Sequence, residues 1–348
     1  MQPDFPLSDE RIHRPHKLQA LIEIMVGLGV DAVAALAGTG LAVTDFQRPE
    51  TRISARQLLT VCENALRLSP RADLALRAGL AARITQFGLY GYALLCSPTA
   101  REAIAMAMRY RVLTAPLLGL EFVQRNNVVG WRFSDVYGLG EDTPLYRFVL
   151  EWQLGTQLAL HRDVLGAALR PLHVMLPYAA PVHAADMAEQ LGCPVQFSSG
   201  QSELQFDAAW LEHAPVQGNP ATAMVAYETC ERLLNEFQQA RGITSRLIAE
   251  LLRVPGRFPG IEAIAADWGM SSRTLRRKLA DEGNAYQQVL DKVRCQLALD
   301  YLRDTRLNND EIAAALGFTE AANFRQAFRR WTGMPPSRAR MKRGPQAR

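Results

Sequence analysis

An internal repeat in the last third of the chain constrains its fold more than any other feature. Ile264-Ala265-Ala266-Asp267-Trp268-Gly269-Met270-Ser271 recurs 48 positions later as Ile312-Ala313-Ala314-Ala315-Leu316-Gly317-Phe318-Thr319. The Ile-Ala-Ala opening, the glycine and the hydroxyl residue after it all match. One inserted residue then moves the offset to 49, so that Leu275 meets Phe324 and Leu279 meets Phe328. In the first copy Ile261, Ile264, Ala265 and Trp268 fall at i, i+3, i+4 and i+7, the spacing of one buried helical stripe. Gly269 supplies a turn, Ser271 or Ser272 caps the next helix, and Leu275 and Leu279 face inward. Trp331 extends the second stripe. Two helix-turn-helix units are therefore expected, at about 261–283 and 309–333. Tyr286 to Arg303 would form a helical connector carrying Val289, Val293, Leu297 and Leu302 near one face. Such a strut of ~27 Å would hold the two second helices near one turn of DNA apart, ~34 Å.

The outward faces carry the chemistry. Arg273 and Arg277 lie roughly 160° from Leu275 on the helical wheel, and Arg276 roughly 100°. Guanidinium groups opposite a packed face suit the major groove, where arginine donates two bonds to guanine O6 and N7. The expected surface of the first unit is Ser272, Arg273, Thr274, Arg276, Arg277 and Lys278. That of the second is Ala322, Asn323, Arg325, Gln326, Arg329 and Arg330. There Gln326 suits adenine and Ala322 a thymine methyl, while the three arginines suit phosphates, which position without specifying.

Charge agrees. The 348 residues carry a net +4, but residues 241–348 hold 20 Lys and Arg against 11 Asp and Glu, leaving −5 for the rest. A basic third joined to an acidic two-thirds places a polyanion-binding domain at the C-terminus.

Residues 1–220 are expected to form an α+β domain, preceding an all-α domain at 241–348. Helical spacing covers Leu18–Ala37, Ser54–Leu68 and Asp73–Leu80, and Ser97-Pro98-Thr99 opens a helix running to Tyr110. Leu120–Gln124 and Val128–Phe133 flank a hairpin turn at Arg125-Asn126-Asn127. Leu172–Leu176, Val195–Phe197 and Glu203–Phe206 read as short strands, and Val182–Leu191 as a helix ended by Gly192. After a break at Gln217–Pro220, residues 221–240 form an amphipathic linker or dimerisation helix.

These residues bring the chain to a known family. IAADWGMSSRTLRRKL, VRCQLALDYL and IAAALGFTEAANFRQAFRRWTGMPPSRAR, with their spacing, resemble the DNA-binding domain of AraC/XylS-type transcription regulators. The resemblance implies that the first turns of both recognition helices face bases: Arg273, Arg276 and Arg277 in one, Ala322, Asn323 and Gln326 in the other. The second begins Glu320-Ala321-Ala322, short of long donors, so the first should read more strongly. Gly88–Ala93, Ser97–Ala103, Arg109-Tyr110 and Gly192–Phe197 resemble the N-terminal domain named after arabinose binding in one branch of that family. The branch name does not carry a sugar ligand to this chain. The resemblance implies promoter DNA and RNA polymerase as partners, and an activator controlled by a small molecule or by self-association as a homodimer. An effector would enter an apolar pocket, for which Tyr90, Tyr92, Arg109, Tyr110, Trp131 and Trp152 are the candidates.

Other chemistry finds little support. The six histidines show no HxxxH or HExxH spacing, so no metal is expected, and no GxGxxG, Walker or GxSxG motif is present. No cofactor or catalysis is expected. Five scattered cysteines without a CxxC pair fit a reducing compartment. The longest apolar region, Leu18 to Val43, is interrupted by Glu23 and Asp31, and the first residues lack an apolar stretch behind a basic start. A cytoplasmic protein without signal peptide or membrane span is expected. Two other readings stay open: an architectural DNA-binding protein without effector, and a DNA-targeted alkyl-acceptor repair enzyme using Cys193.

Overall fold

The computed structural model describes residues 9–48, 50–240, 242–253, 256–305 and 307–341. Residues 1–8, where the leading segment was read, Arg241 at the domain boundary, and 342–348 of the basic tail lie outside the described residues. The chain gathers into two compact units, Leu7–Ala240 and Arg241–Arg348.

Leu7–Ala240 is α+β. It begins with α1 (His16–Gly27) and α2 (Ala32–Ala35), followed by α3 (Ala55–Leu68), α4 (Leu74–Leu80), α5 (Gly88–Cys96) and α6 (Ala100–Tyr110). The helix expected over Leu18–Ala37 is thus broken. Gly29 takes φ +86°, a left-handed conformation that stops α1, and Asp31 restarts the chain by accepting from the Ala34 amide. Ser54 and Thr99 cap α3 and α6.

The strands β1 (Gly119–Arg125), β2 (Val128–Ser134), β3 (His173–Met175), β4 (Val195–Gln196) and β5 (Glu203–Asp207) make one sheet of order β1-β2-β5-β3-β4. The β1–β2 hairpin turns at Asn126, whose φ of +51° asparagine tolerates. The last two short strands do not pair with each other: β5 enters between β2 and β3, antiparallel to both, and β4 runs parallel to β3. The helix α8 (Ala184–Leu191) connects β3 to β4 and ends at left-handed Gly192.

The main core is built around α7 (Pro144–Leu165), which no helical stripe announced. Fifteen of its 22 residues are buried, so its periodicity is lost among apolar positions on every side. Its start was legible in kind: Thr143 caps it and Pro144 occupies the first turn. α7 crosses α4 at two glycines. A Cβ on Gly79 would lie 2.3 Å from the Trp152 carbonyl oxygen, and one on Gly155 2.7 Å from that of Leu76. The last helix of the unit, α9 (Pro220–Ala240), packs on α5 and α6 through Ala226 and Cys230.

Arg241–Arg348 is all helical: α10 (Ile243–Arg253), α11 (Ile261–Asp267), α12 (Ser272–Asp281), α13 (Tyr286–Asp304), α14 (Asn309–Ala315), α15 (Ala321–Thr332) and α16 (Pro336–Met341). α10 was not anticipated from the sequence. No helix among the described residues is long and apolar enough to cross a membrane.

Candidate nucleic-acid interface

Each repeat folds as a helix pair about a left-handed glycine, Gly269 at φ +68° and Gly317 at φ +71°. In the first, Ile261, Ile264, Ala265, Leu275 and Leu279 are buried, and Trp268 is half-buried under the guanidinium of Arg246, 4.4 Å from its ring centroid. In the second, Ile312, Leu316, Phe324 and Phe328 are fully buried with Ala298 and Leu302 of α13. The aromatic pair of α15 fills the space that two leucines fill in α12.

The two pairs start their second helices differently. Ser271 caps α12 by accepting from the Thr274 amide at 3.1 Å. The inserted residue moves the corresponding position in α15 to Glu320, whose side chain makes no cap bond. The hydroxyl residue that matches Ser271 in the repeat, Thr319, is therefore not a cap: α15 starts one residue too late for it.

The expected surface residues of α12 point outward. Arg273, Arg276, Arg277 and Lys278 are exposed, and Ser272 and Thr274 half-buried. Arg276 donates to Glu262 of α11 at 2.8 Å, an ion pair between two exposed groups worth ~1 kcal/mol or less. On α15, Ala322, Asn323, Arg325, Gln326, Arg329 and Arg330 are all exposed, with Arg330 paired to Asp291 of α13 at 2.9 Å. Arg273, Arg277, Lys278, Arg325 and Arg329 have no ion pair among the described residues. These five cations are free to meet phosphates and base edges.

Two supports lie beyond what local spacing shows, because each reaches across 22 to 39 positions. Arg294 of α13 donates from Nε to the Leu316 carbonyl oxygen at 3.0 Å, and its guanidinium lies 5.1 Å from the Phe258 ring and 4.8 Å from that of Phe318. It thereby satisfies the end of α14 and ties the first unit's leading segment to the second unit's turn. That seam is tight: Gly256 holds φ +86°, and a Cβ on Gly317 would lie 2.7 Å from the Gly256 carbonyl oxygen. Glu282, at the end of α12, accepts from the Ile243 and Thr244 amides at 2.7 and 2.9 Å, so α10 starts against the recognition helix.

The effector candidates in Leu7–Ala240 are not gathered at one place. Tyr90 and Trp131 line a narrow apolar cavity with Leu94, Ile104 and His161. Trp131 donates from Nε1 to His161 Nε2 at 2.8 Å, and burial lowers that imidazole to about 4. Trp152 lines a different, wider cavity. Tyr92 is exposed. Arg109 and Tyr110 both donate to Glu231 of α9, at 2.8 and 2.6 Å, fastening α9 to α6. Cys193 is buried, and burial pushes its thiol up to about 11, although α7 brings Arg162 near enough to oppose the shift. A thiol so raised is the reverse of an activated acceptor. No group of three metal-ligating side chains occurs among the described residues.

Comparison with known proteins gives the same two-part division. Residues 29–214 match the arabinose-binding domain of AraC transcription regulator, N-terminal. Residues 264–342 match a helix-turn-helix domain. The chain is 32% identical over 319 residues to the ornithine utilization regulator of Pseudomonas aeruginosa, covering 92% of this chain and 93% of that one. It is 28% identical over 348 residues to an uncharacterized HTH-type transcriptional regulator of Mycobacterium tuberculosis, covering 95% and 97%. The crystal structure of transcriptional regulator CdpR from Pseudomonas aeruginosa aligns over 94% of this chain and 98% of that one, at 25% identity and a TM-score of 0.49.

Proposed function

This chain belongs to the AraC transcription regulators, and from that premise we propose that it activates transcription from promoter DNA which it reads chiefly through α12. The observation that carries this reading is the two-sided build of that helix. Leu275 and Leu279 are fully buried, while Arg273 and Arg277 stand free on the other side and Lys278 at the flank. A helix held by one face and cationic on the other is what the major groove admits. α15 adds Arg325 and Arg329 for phosphates and Gln326 for a base edge.

The reading extends to control. Leu7–Ala240 takes a small-molecule effector, and a ligand there biases DNA binding only by its difference in affinity between two states. Self-association as a homodimer is supported by α9, which presents Met224 and Val225, each 64% exposed. Bound at the promoter, the protein contacts RNA polymerase, in the cytoplasm where bacterial DNA lies. No catalytic step is assigned to the chain, and the buried Cys193 thiol supports that.

Measuring affinity for the target duplex and for a random duplex tests the reading. Arg277→Ala should weaken target binding by ~1–3 kcal/mol and random binding much less. Arg329→Ala should weaken both alike and reduce the salt slope by about one. Equal losses on both duplexes for Arg277→Ala would reject base reading, and a flat salt response would reject groove contact altogether.

A further inference from the structure

A cavity of about 240 Å³ opens among α1, α4 and α7, just under the ~300–1,000 Å³ of drug-sized ligand sites and so fitted to a smaller guest. Its wall is largely apolar: Ala20, Leu21 and Ile24 from α1, Ala78 from α4, Phe87 and Trp152. Next to the lining residues Ala78 and Thr156, the Gly79–Gly155 crossing draws α4 and α7 together.

Polar side chains break that wall: His16, Lys17 and Glu23 of α1, with Gln86 and Thr156. Lys17 is only 7% exposed. Its ammonium sits 5.1 Å from the ring centroid of Trp152, and donates to Gln153 Oε1 at 3.1 Å and weakly to the Ala115 carbonyl oxygen at 3.5 Å. No carboxylate among the described residues pairs with it. The Cys62 thiol is near enough to influence it, but burial pushes that thiol far up, so it stays neutral. An uncompensated buried ammonium is expensive to a fold, and the strain shows: burial lowers Lys17 from its ordinary 10.5 to about 8. Beside it, His16 has an Nε2 that is buried without a hydrogen-bond partner. Burial lowers that imidazole to about 4, so it is neutral and brings no second charge. Glu23 stands at the exposed rim, engaged by Gln19 at 2.8 Å.

We propose that this cavity binds a small organic monocarboxylate, its anionic group neutralised by Lys17 and hydrogen-bonded by His16, its apolar body laid against Leu21, Ile24, Phe87 and Trp152. One ammonium matches one negative charge. Glu23 at the rim repels a second, which favours a monoanion over a phosphate or dicarboxylate. The proposal rests on the reading of Leu7–Ala240 as the effector unit and names that effector's class.

Calorimetric titration of the full chain, without DNA, tests it with hexanoate and phenylacetate as probes and hexanol and phenylacetamide as their neutral counterparts. Both carboxylates should bind and raise the melting temperature, with the neutral pair at least ~10-fold weaker. Lys17→Met should remove carboxylate binding while leaving the ligand-free chain as stable or more so, since it deletes an unpaired buried charge. Ala81→Trp, at an exposed position on the cavity mouth, should block entry with Lys17 intact. The proposal is overturned if neither carboxylate binds at ~10 mM, if neutral and charged probes bind alike, or if either variant binds as the parent does. Because no DNA is present, such a failure would leave the result for Arg277→Ala standing.

Discussion

In Leu7–Ala240, charged groups are drawn inward: Lys17, Glu151 and Glu203 are 7%, 4% and 0% exposed. Glu203 is held ionised against its burial by Gln205, Arg132 and Arg125, and Glu151 accepts from Tyr178 and His183. In Arg241–Arg348 the buried polar side chains among the described residues are Thr244 and Ser245, and the cations stand outside. The six histidines all fall in the first unit. Polar groups fixed inside a unit are positioned for a guest that enters it. Cations displayed outside are positioned for a partner too large to enter, and a duplex is such a partner.

If the second unit's stability is apolar packing alone, a core truncation should dominate. Phe328→Ala should destabilise Arg241–Arg348 by about 3–5 kcal/mol, lowering that unit's thermal transition while the transition of Leu7–Ala240 holds. A loss below 1 kcal/mol would mean the aromatic pair of α15 is not the anchor.

Acid should act on the first unit and spare the second. His16 and His161 are each lowered by burial to about 4, below an unfolded value near 6.5. Their contribution is whole above 6.5 and is lost as pH falls from there toward 4. Between pH 7.5 and 5.5 this amounts to about 1 kcal/mol for each. His183 runs the other way: its bond to Glu151 raises it, so it adds stability below 6.5. Melting curves across that range should show Leu7–Ala240 weakening by a net of about 1–2 kcal/mol. Equal weakening of the histidine-free unit would break the contrast.

The smallest effect separates the repeats themselves. Ser271→Ala should cost about 1 kcal/mol in the stability of Arg241–Arg348, and Glu320→Ala close to nothing, because only the former is a cap. Chemical denaturation of the two variants would show it.

The same contrast explains what could be read from the chain. The second unit was legible because its short helices are each apolar on one side, and because the repeat tested every position twice. The α12 and α15 surfaces followed from spacing. What escaped were the long-range supports: Arg294 on the end of α14 and Glu282 on the start of α10. In the first unit, α7 was invisible because burial on all sides erases periodicity. β5 could not be placed between β2 and β3 because strand order is a non-local choice. The wide cavity draws on α1, α4 and α7, more than 130 positions apart from Lys17 to Trp152. Lys17 itself looked like one more charge in a charged leading segment, and the aromatic residues singled out instead divide between two cavities and a helix clamp.

Everything proposed for DNA recognition requires the outer face of α12 to touch bases. The direct measurement replaces each guanine of the target duplex in turn with 7-deazaguanine, which lacks the N7 acceptor, and compares the parent chain with Arg277→Ala. One or two positions should lose affinity for the parent, and those same positions should lose nothing further for the variant. Equal sensitivity in both proteins at every position would contradict it.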